Sequence, residues 1–500
     1  MATAVSGVTQ YRMLIGGEWV DATSGQTYDS MNPYTGQTWA QMPDAQAEDV
    51  DRAVQAARKA VKDPAWRGMV PAQRGALLRR LGDLVAENAD YLGQIETRDN
   101  GKLIREMSAQ CKAVPSYFYF YAGLADKIQG ATIPLEKTSV FNYTLREPIG
   151  VVGIIIPWNS PLLLLSFSLA AALAAGNAVV VKPSEHASAS TLEFARLVEQ
   201  AGFPPGVFNV VTGYGAVTGS AMASHPGIGK LSFTGGPETA RKIAEQAALN
   251  LTPTLLELGG KSPNIVFPDA NIQNAVNGTI SGIFAAGGQT CVAGSRLLLH
   301  EDIHDEFIER LVARTRDIRM GDPAAMESEL GPLATTAQLA KVESFVESAR
   351  AEGAELVYGG CRPDSPELAA GWFYMPTIFG GVRNDMFLAQ EEVFGPVLGV
   401  LRFREEEEAV AMANDTRYGL AAGIWTDDIK RAHRLARDLD AGTVWINMYR
   451  ALSYASPFGG YKGSGHGREL GVDAINEFTQ VKSVWVELAE TTPDPFVLRI

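Results

Sequence analysis

Cys291 stands in the stretch Phe284-Ala-Ala-Gly-Gly-Gln-Thr-Cys-Val-Ala-Gly-Ser-Arg296, among small residues and backbone amides. Gly287 and Gly288 carry no side chains to block a sulfur, and Gln289 and Thr290 add polarity, which suits a thiol meant to react. A single cysteine also reads as a small buried hydrophobe, so its company has to decide. Glu257 lies in Thr254-Leu-Leu-Glu-Leu-Gly-Gly-Lys-Ser-Pro263, inside an apolar run and beside a glycine pair. Such surroundings raise a carboxylate's pKa, as a general base working near neutrality requires. A structural glutamate bonded to backbone amides fits the same residues equally well.

Two glycine-rich turns offer free N–H groups and a helix N-terminus to a phosphate. Gly213-x-Gly215-x-x-x-Gly219 is one residue off the usual dinucleotide fingerprint, and ordinary turn chemistry explains it nearly as well. In Phe233-Thr234-Gly235-Gly236-Pro-Glu238 the proline suits a first helical position. Lys182 and Glu185, in Lys-Pro-Ser184-Glu, could bond ribose hydroxyls or could begin a solvated helix.

The elements that must position these groups follow from periodicity. Stripes at Val50, Ala53, Val54 and Ala57, and at Leu77, Leu78, Leu81, Leu84 and Val85, predict two amphipathic helices. From Ile149 the pattern changes to short β-branched runs (Val151–Ile156, Ala178–Val181, Val207–Val211) alternating with helical stretches (Pro161–Ala175, Ala187–Ala201). That alternation predicts a doubly wound parallel sheet with helices on both faces. Ligands of such sheets sit at the carboxyl ends of the strands, so Pro157-Trp158-Asn159, Lys182–Glu185, Gly213–Gly219 and Phe233–Gly236 fall along one rim. The alternation resumes with a strand at Arg296–His300, helices at Ile303–Ile318 and Leu339–Glu352, and a strand at Glu355–Tyr358. His300 and His304, spaced to share a helix face, read instead as a strand end and a helix start. Ser456–Gly465 is too rich in glycine for an element and reads as a lining loop, and Val481–Leu488 reads as an exposed strand whose open edge invites a partner subunit.

Composition excludes several classes. Five hundred residues exceed a single core, so two or more domains are expected. A net charge of −14, from 43 basic and 57 acidic residues, leaves no general basic surface for nucleic acid or anionic membrane. The charge-free run from Pro148 to Val181 is broken at Pro157–Pro161, leaving an apolar piece shorter than the roughly 20 residues a bilayer needs. Three distant cysteines argue against a disulfide framework and for a reducing, cytoplasmic setting. With neither H-E-x-x-H nor C-x-x-C, metal binding is not expected.

Taken together, Pro157-Trp-Asn159, Lys182-Pro-Ser-Glu185, Phe233-Thr-Gly-Gly236, Leu256-Glu-Leu-Gly-Gly-Lys261, Phe284-x-x-x-Gly288-Gln-x-Cys291, Glu391-Glu-x-Phe-Gly-Pro396 and Ser456-Pro-Phe-Gly-Gly-Tyr-Lys462 make the chain similar, almost end to end, to the NAD(P)-dependent aldehyde dehydrogenase superfamily in its non-acylating branch. The resemblance implies an α/β fold with a Rossmann-type cofactor domain (1–132 and 147–258), an α/β catalytic domain (259–465) and a small β bridging element (133–146 and 466–500) that assembles a homodimer or homotetramer. It implies Cys291 as nucleophile, Glu257 as base and the Asn159 amide as oxyanion donor. Cofactor contacts would come from Pro157, Trp158, Lys182, Ser184, Glu185, Gly215, Gly219, Phe233, Thr234, Gly235, Gly236, Glu257, Leu258, Gly259, Glu392 and Phe394. Many relatives have serine at the place of Gly236, so a side-chain bond to phosphate is missing there. A carboxylate at Glu185 repels a 2′-phosphate, which implies NAD over NADP. The aldehyde tunnel would be lined by Leu164, Phe167, Thr290, Val292, Leu452 and Phe458, an apolar set that points to uncharged aliphatic or aromatic aldehydes, with Arg450 and Tyr454 on a nearby loop. A thiol-dependent esterase on the same fold is the rival reading, and it leaves the phosphate turns and Glu392-x-Phe394 without a purpose. Coenzyme-A-acylating relatives generally lack an equivalent of Glu257.

Overall fold

A computed structural model describes residues 3–5, 7–492 and 494–496. The outermost residues of the first expected domain and of the bridging element, 1, 2, 6, 493 and 497–500, lie outside the described residues.

An eight-stranded sheet occupies the first half. Its parallel centre runs Phe208–Val210, Ala178–Lys182, Val151–Ile155, Lys230–Gly235 and Thr254–Leu258, each strand hydrogen-bonded to the next. These strands are buried on both faces, which is why they read as unbroken β-branched runs rather than as alternation. Chain order reverses between Val151–Ile155 and Lys230–Gly235, and a crevice opens beyond the carboxyl ends of strands at such a reversal. Pro157–Asn159 and Gly235–Gly236 are the segments that leave those two strands. Helices Pro161–Ala174, Ala189–Ala201 and Pro237–Ala248 follow three of the strands. The first carries no charge and is buried almost throughout, which accounts for its lack of amphipathic signal.

A seven-stranded sheet, parallel except for its Glu355–Tyr358 edge, forms the second half in the order 355–358, 377–380, 397–403, 296–300, 263–266, 421–425 and 443–446. Separate hydrophobic clusters contain Ile265, Phe345 and Phe379 on the one hand and Val276, Phe284 and Phe307 on the other. A smaller one, built on Tyr117, Phe167, Val292, Trp445 and Phe458, joins the two halves, and Cys291 packs against it. His300 ends a strand and His304 opens the helix His304–Arg316, as the sequence reading has it.

The expected bridging segments behave differently from one another. Thr479–Glu487 pairs antiparallel with Val140–Pro148, which pairs with Thr132–Ile133, and this three-stranded sheet stands apart from the other two. Residues 465–478 do not join it. Gly465–His466 lies antiparallel beside Thr254–Leu258 at the edge of the eight-stranded sheet, and Ala474, Ile475 and Phe478 enter the core of the first half.

Among the elements that periodicity does not predict are two strands and one long helix. Thr27–Asn32 and Gln37–Pro43 pair in a further four-stranded sheet. Ile104–Leu124 is a 21-residue helix, hidden by an internal Pro115 and by the run Tyr117–Tyr121, which blurs any helical stripe.

Candidate active site

Cys291 follows a tight backbone turn. Ala286, Gly287 and Gly288 all have left-handed φ, at 56°, 61° and 69°. A side chain on Gly288 would overlap the backbone of Gly395, so this glycine is required by close chain approach and not, as the sequence suggested, by access to the sulfur. Glu106 Oε1 accepts from Ala286 N at 2.9 Å, and Gln289 Oε1 accepts from Ala334 N at 2.9 Å, so side-chain acceptors from other elements hold the turn. On the far side, the buried Arg296 guanidinium donates to the carbonyls of Lys261, Met412 and Ala413.

The sulfur lies between two cavities. The first, about 190 Å³, is lined by Pro157, Trp158, Thr234, Gly235, Gly236, Glu257, Leu258, Gly259, Gln338, Lys341, Glu392 and Phe394. The second, about 320 Å³, contains all six expected tunnel residues. Asn159, Leu164 and Cys291 line both. Asn159 is buried and its Nδ2 donates to Gln289 O at 3.1 Å. Its turn is held from behind: Asn100 Nδ2 donates to Trp158 O at 3.1 Å, Ser160 Oγ to Asn159 O at 2.6 Å, and Lys102 Nζ to Ser160 Oγ at 3.3 Å.

Glu257 meets the expectation of an apolar carboxylate. Both its oxygens are buried without a hydrogen-bond partner, and Gly459 leaves room for Oε1, since a Cβ there would come to 2.7 Å. Burial, then the buried Glu469, hold its pKa well above the carboxylate range against the pull of Arg468. The Cys291 thiol is pushed up to about 12 by burial and by Glu392 and Glu257, with the Val292 N–H and Lys102 opposing. At rest the sulfur is therefore a thiol, and a base is needed to ionise it.

The first cavity has the furniture of a nucleotide site. Gly236 is the N-terminal cap of the helix Pro237–Ala248, and a side chain there would meet only open space. Gly259 is bare because a side chain would overlap the Glu392 carboxylate, whose Oε1 accepts from Gly260 N at 3.1 Å. Phe394 has a left-handed φ of 57° and packs edge-on to Trp158 at 5.4 Å between ring centroids. Gln338 Nε2 fixes that turn by donating to Val393 O and Phe394 O at 2.8 and 2.9 Å.

Further along the rim, Lys182 is buried, donates to Pro183 O at 2.9 Å and lies 3.5 Å from Glu185, whose Oε1 faces Gly215 N at 3.5 Å. Gly219 sits against the Lys182 stem, inside one wide turn spanning Gly215–Gly219. Ser184 Oγ accepts from His186 N within the same loop. These residues cluster together but line neither cavity. Phe233 joins neither group: its ring is turned into the core, over Gly235.

The second cavity differs from the expected apolar tunnel, because Lys102, Gln110 and Arg450 stand in its wall with Tyr117 and Leu163. Lys102, Gln110 and Tyr117 come from the segment around the unread helix Ile104–Leu124. Gln338 and Lys341 escaped notice too, being polar residues one helical turn apart with nothing in sequence to separate them from a solvated face.

A half-buried sulfur between a substrate-sized cavity and one walled by glycine turns and a helix cap is the arrangement that a thiol-using oxidoreductase needs. The comparisons agree. The chain matches the aldehyde dehydrogenase family over residues 19–484, and it belongs to that family. It is 48% identical over 493 residues, 98% of this chain and 100% of the other, to (Z)-2-((N-methylformamido)methylene)-5-hydroxybutyrolactone dehydrogenase of Acinetobacter baylyi. The crystal structure of betaine aldehyde dehydrogenase from Staphylococcus aureus in complex with NAD+ superposes with a TM-score of 0.96 at 39% identity, covering 97% of each chain. That of PnpE from Pseudomonas sp. WBC-3 gives 0.95 at 44% identity, covering 97% of this chain and 99% of the other. The protein is accordingly an oxidoreductase that oxidises aldehydes with a nicotinamide cofactor. No helix of the described residues is long and apolar enough to cross a membrane.

Proposed function

We propose that Cys291, Glu257 and Asn159 carry out NAD-dependent oxidation of an aldehyde to its acid. The observation that supports this reading most is that Cys291, Asn159 and Leu164 line both cavities, so a substrate in one and a nucleotide in the other would meet beside the sulfur. The cofactor's nicotinamide ring, when bound, accepts a hydride. Glu392 and Phe394 would position its ribose and ring, Gly236 and its neighbours Thr234 and Gly235 its pyrophosphate, and Lys182, Ser184 and Glu185, with Gly215 and Gly219, its adenine ribose. Pro157, Trp158, Leu258 and Gly259 would complete the walls.

The chain's own groups then act in order. Glu257, held basic by burial, takes the Cys291 proton, and the sulfur attacks the aldehyde carbon. Asn159 Nδ2 and the Cys291 backbone N–H bond the resulting oxyanion. Collapse of the adduct restores the carbonyl with loss of hydride and leaves a thioester on Cys291. Glu257 then loses the proton it took from Cys291 to solvent, which frees it to deprotonate a water that attacks the thioester; the acid leaves, and the departing Cys291 sulfur takes back a proton from Glu257. NADH formation that disappears in Cys291→Ala tests the scheme, whereas cysteine-dependent ester cleavage with no NADH from any aldehyde would favour the esterase.

Glu185 favours NAD. Burial alone would raise its pKa, yet Lys182 and backbone N–H groups bring it below the ordinary value, so it stays ionised where a 2′-phosphate would lie. The three-stranded sheet supports self-association: Val481 and Trp485 are exposed on one face, and Phe141, Leu145 and Val486 on the other. A dimer or tetramer formed through it, with the cofactor domain at 1–132 and 147–258 and the catalytic domain at 259–465, is the assembly we infer. The three free cysteines fit a reducing cytoplasm.

A further inference from the structure

The cavity that leads to Cys291 holds two cations, Lys102 and Arg450, and no aspartate or glutamate lines it. That imbalance stands out in a chain of net charge −14. Arg450 spends one N–H on Ser281 O at 3.0 Å, and among the described residues no carboxylate lies within ion-pair distance of it. Its backbone is left-handed, with φ at 64°, a conformation unfavourable for a residue with a Cβ that persists only where the surroundings enforce it. Lys102 is buried and gives one N–H to Ser160 Oγ, leaving two. Two carboxylates act on its charge without forming an ion pair with it: Glu106, which accepts from Ala286 N and borders a different surface hollow, and the buried Glu96, which accepts from Leu162 N and Ser190 Oγ. Gln110 in the same wall has a buried amide oxygen without a partner. Leu163, Leu164 and Phe167 supply apolar wall to the same cavity.

Charge left unpaired in a partly desolvated wall is costly unless a ligand brings the counter-charge. We propose that the physiological aldehyde carries a carboxylate at the end remote from its carbonyl, held by Arg450 and Lys102, with a short apolar spacer against Leu164 and Phe167. This rests on the reading of Cys291 as the reacting group. It replaces the uncharged aldehyde expected from an apolar tunnel, and it disfavours quaternary-ammonium aldehydes, which two cations repel. The guanidinium presents paired N–H groups to a carboxylate, and lysine at the same place would supply only a point charge.

The test measures NADH production by the full-length protein with two matched pairs, benzaldehyde against 4-carboxybenzaldehyde and pentanal against 5-oxopentanoate, with betaine aldehyde alongside. The carboxylate of at least one pair is expected to have the higher kcat/KM by roughly 10- to 100-fold, chiefly through KM, with the preference shrinking as salt is added. Arg450→Gln is expected to lower that ratio by about tenfold or more, and Arg450→Lys to retain part of it. Turnover of the uncharged aldehydes with no preference for either carboxylate, or a preference untouched in Arg450→Gln, overturns the proposal and leaves aldehyde oxidation standing. No NADH from any of the five overturns the catalytic reading with it.

Discussion

At Cys291 the groups that make the site reactive also keep it quiet. Burial and the neighbouring Glu392 and Glu257 carboxylates hold the thiol protonated at neutral pH, while burial and Glu469 hold Glu257 above its ordinary range. In the mechanism we propose the working form of each is the deprotonated one, and each pKa is raised, so the active fraction should grow as pH rises. We expect kcat/KM to climb between about pH 6 and pH 9 and not to peak near neutrality; a profile that falls over this range would contradict the assignment. Glu257→Gln should lower steady-state turnover by about 10²–10⁴. Any first-turnover NADH it does form should exceed its later rate, because the water step is lost as well. Asn159→Ala removes one oxyanion donor and should cost about 10²–10³ in kcat, measured at saturating aldehyde. Glu185→Ser should narrow the gap between NAD and NADP in kcat/KM, an effect readable from the two cofactors side by side.

At the scale of elements, the site is a set of strand ends braced from outside. The turn 157–160 is held by Asn100 and Lys102, the turn 393–394 by Gln338, and the 259–260 backbone by Glu392. Gly259→Ala would drive a methyl into the Glu392 carboxylate. It should raise the KM for NAD more than it lowers kcat, and equal losses in both would remove Glu392 from cofactor positioning. The strands and motifs were legible because a buried parallel strand announces itself by β-branched runs and a strand-end turn by its glycines and prolines. Glu257 was legible for the same reason, as an acid out of place in an apolar strand. The braces were not. Lys102, Gln110, Gln338 and Lys341 look in sequence like any polar helical or turn residue, and only packing between distant segments makes them wall. Phe233 erred in the other direction: it belongs to a cofactor motif, yet its ring serves the core and only its neighbours Thr234–Gly236 face the cleft.

For the whole molecule, the free-standing three-stranded sheet exposes apolar side chains on both faces, with Trp485 and Val481 more than half exposed. Trp485→Glu should shift sedimentation toward the 53.7 kDa single chain, and a wild-type protein already sedimenting at that mass would remove the assembly we infer. The return of residues 465–478 to the first sheet has a consequence in time. The strand that carries Glu257 obtains its outer neighbour, Gly465–His466, only after two hundred further residues have been made, and Phe458 and Glu469 come from the same late stretch. A chain emerging from the ribosome can thus complete the parallel strands of the first sheet early while Glu257 still lacks its enclosure. Chemistry is withheld until synthesis is nearly finished, and a product that stops short of this stretch is expected to lack an assembled site with which to oxidise anything.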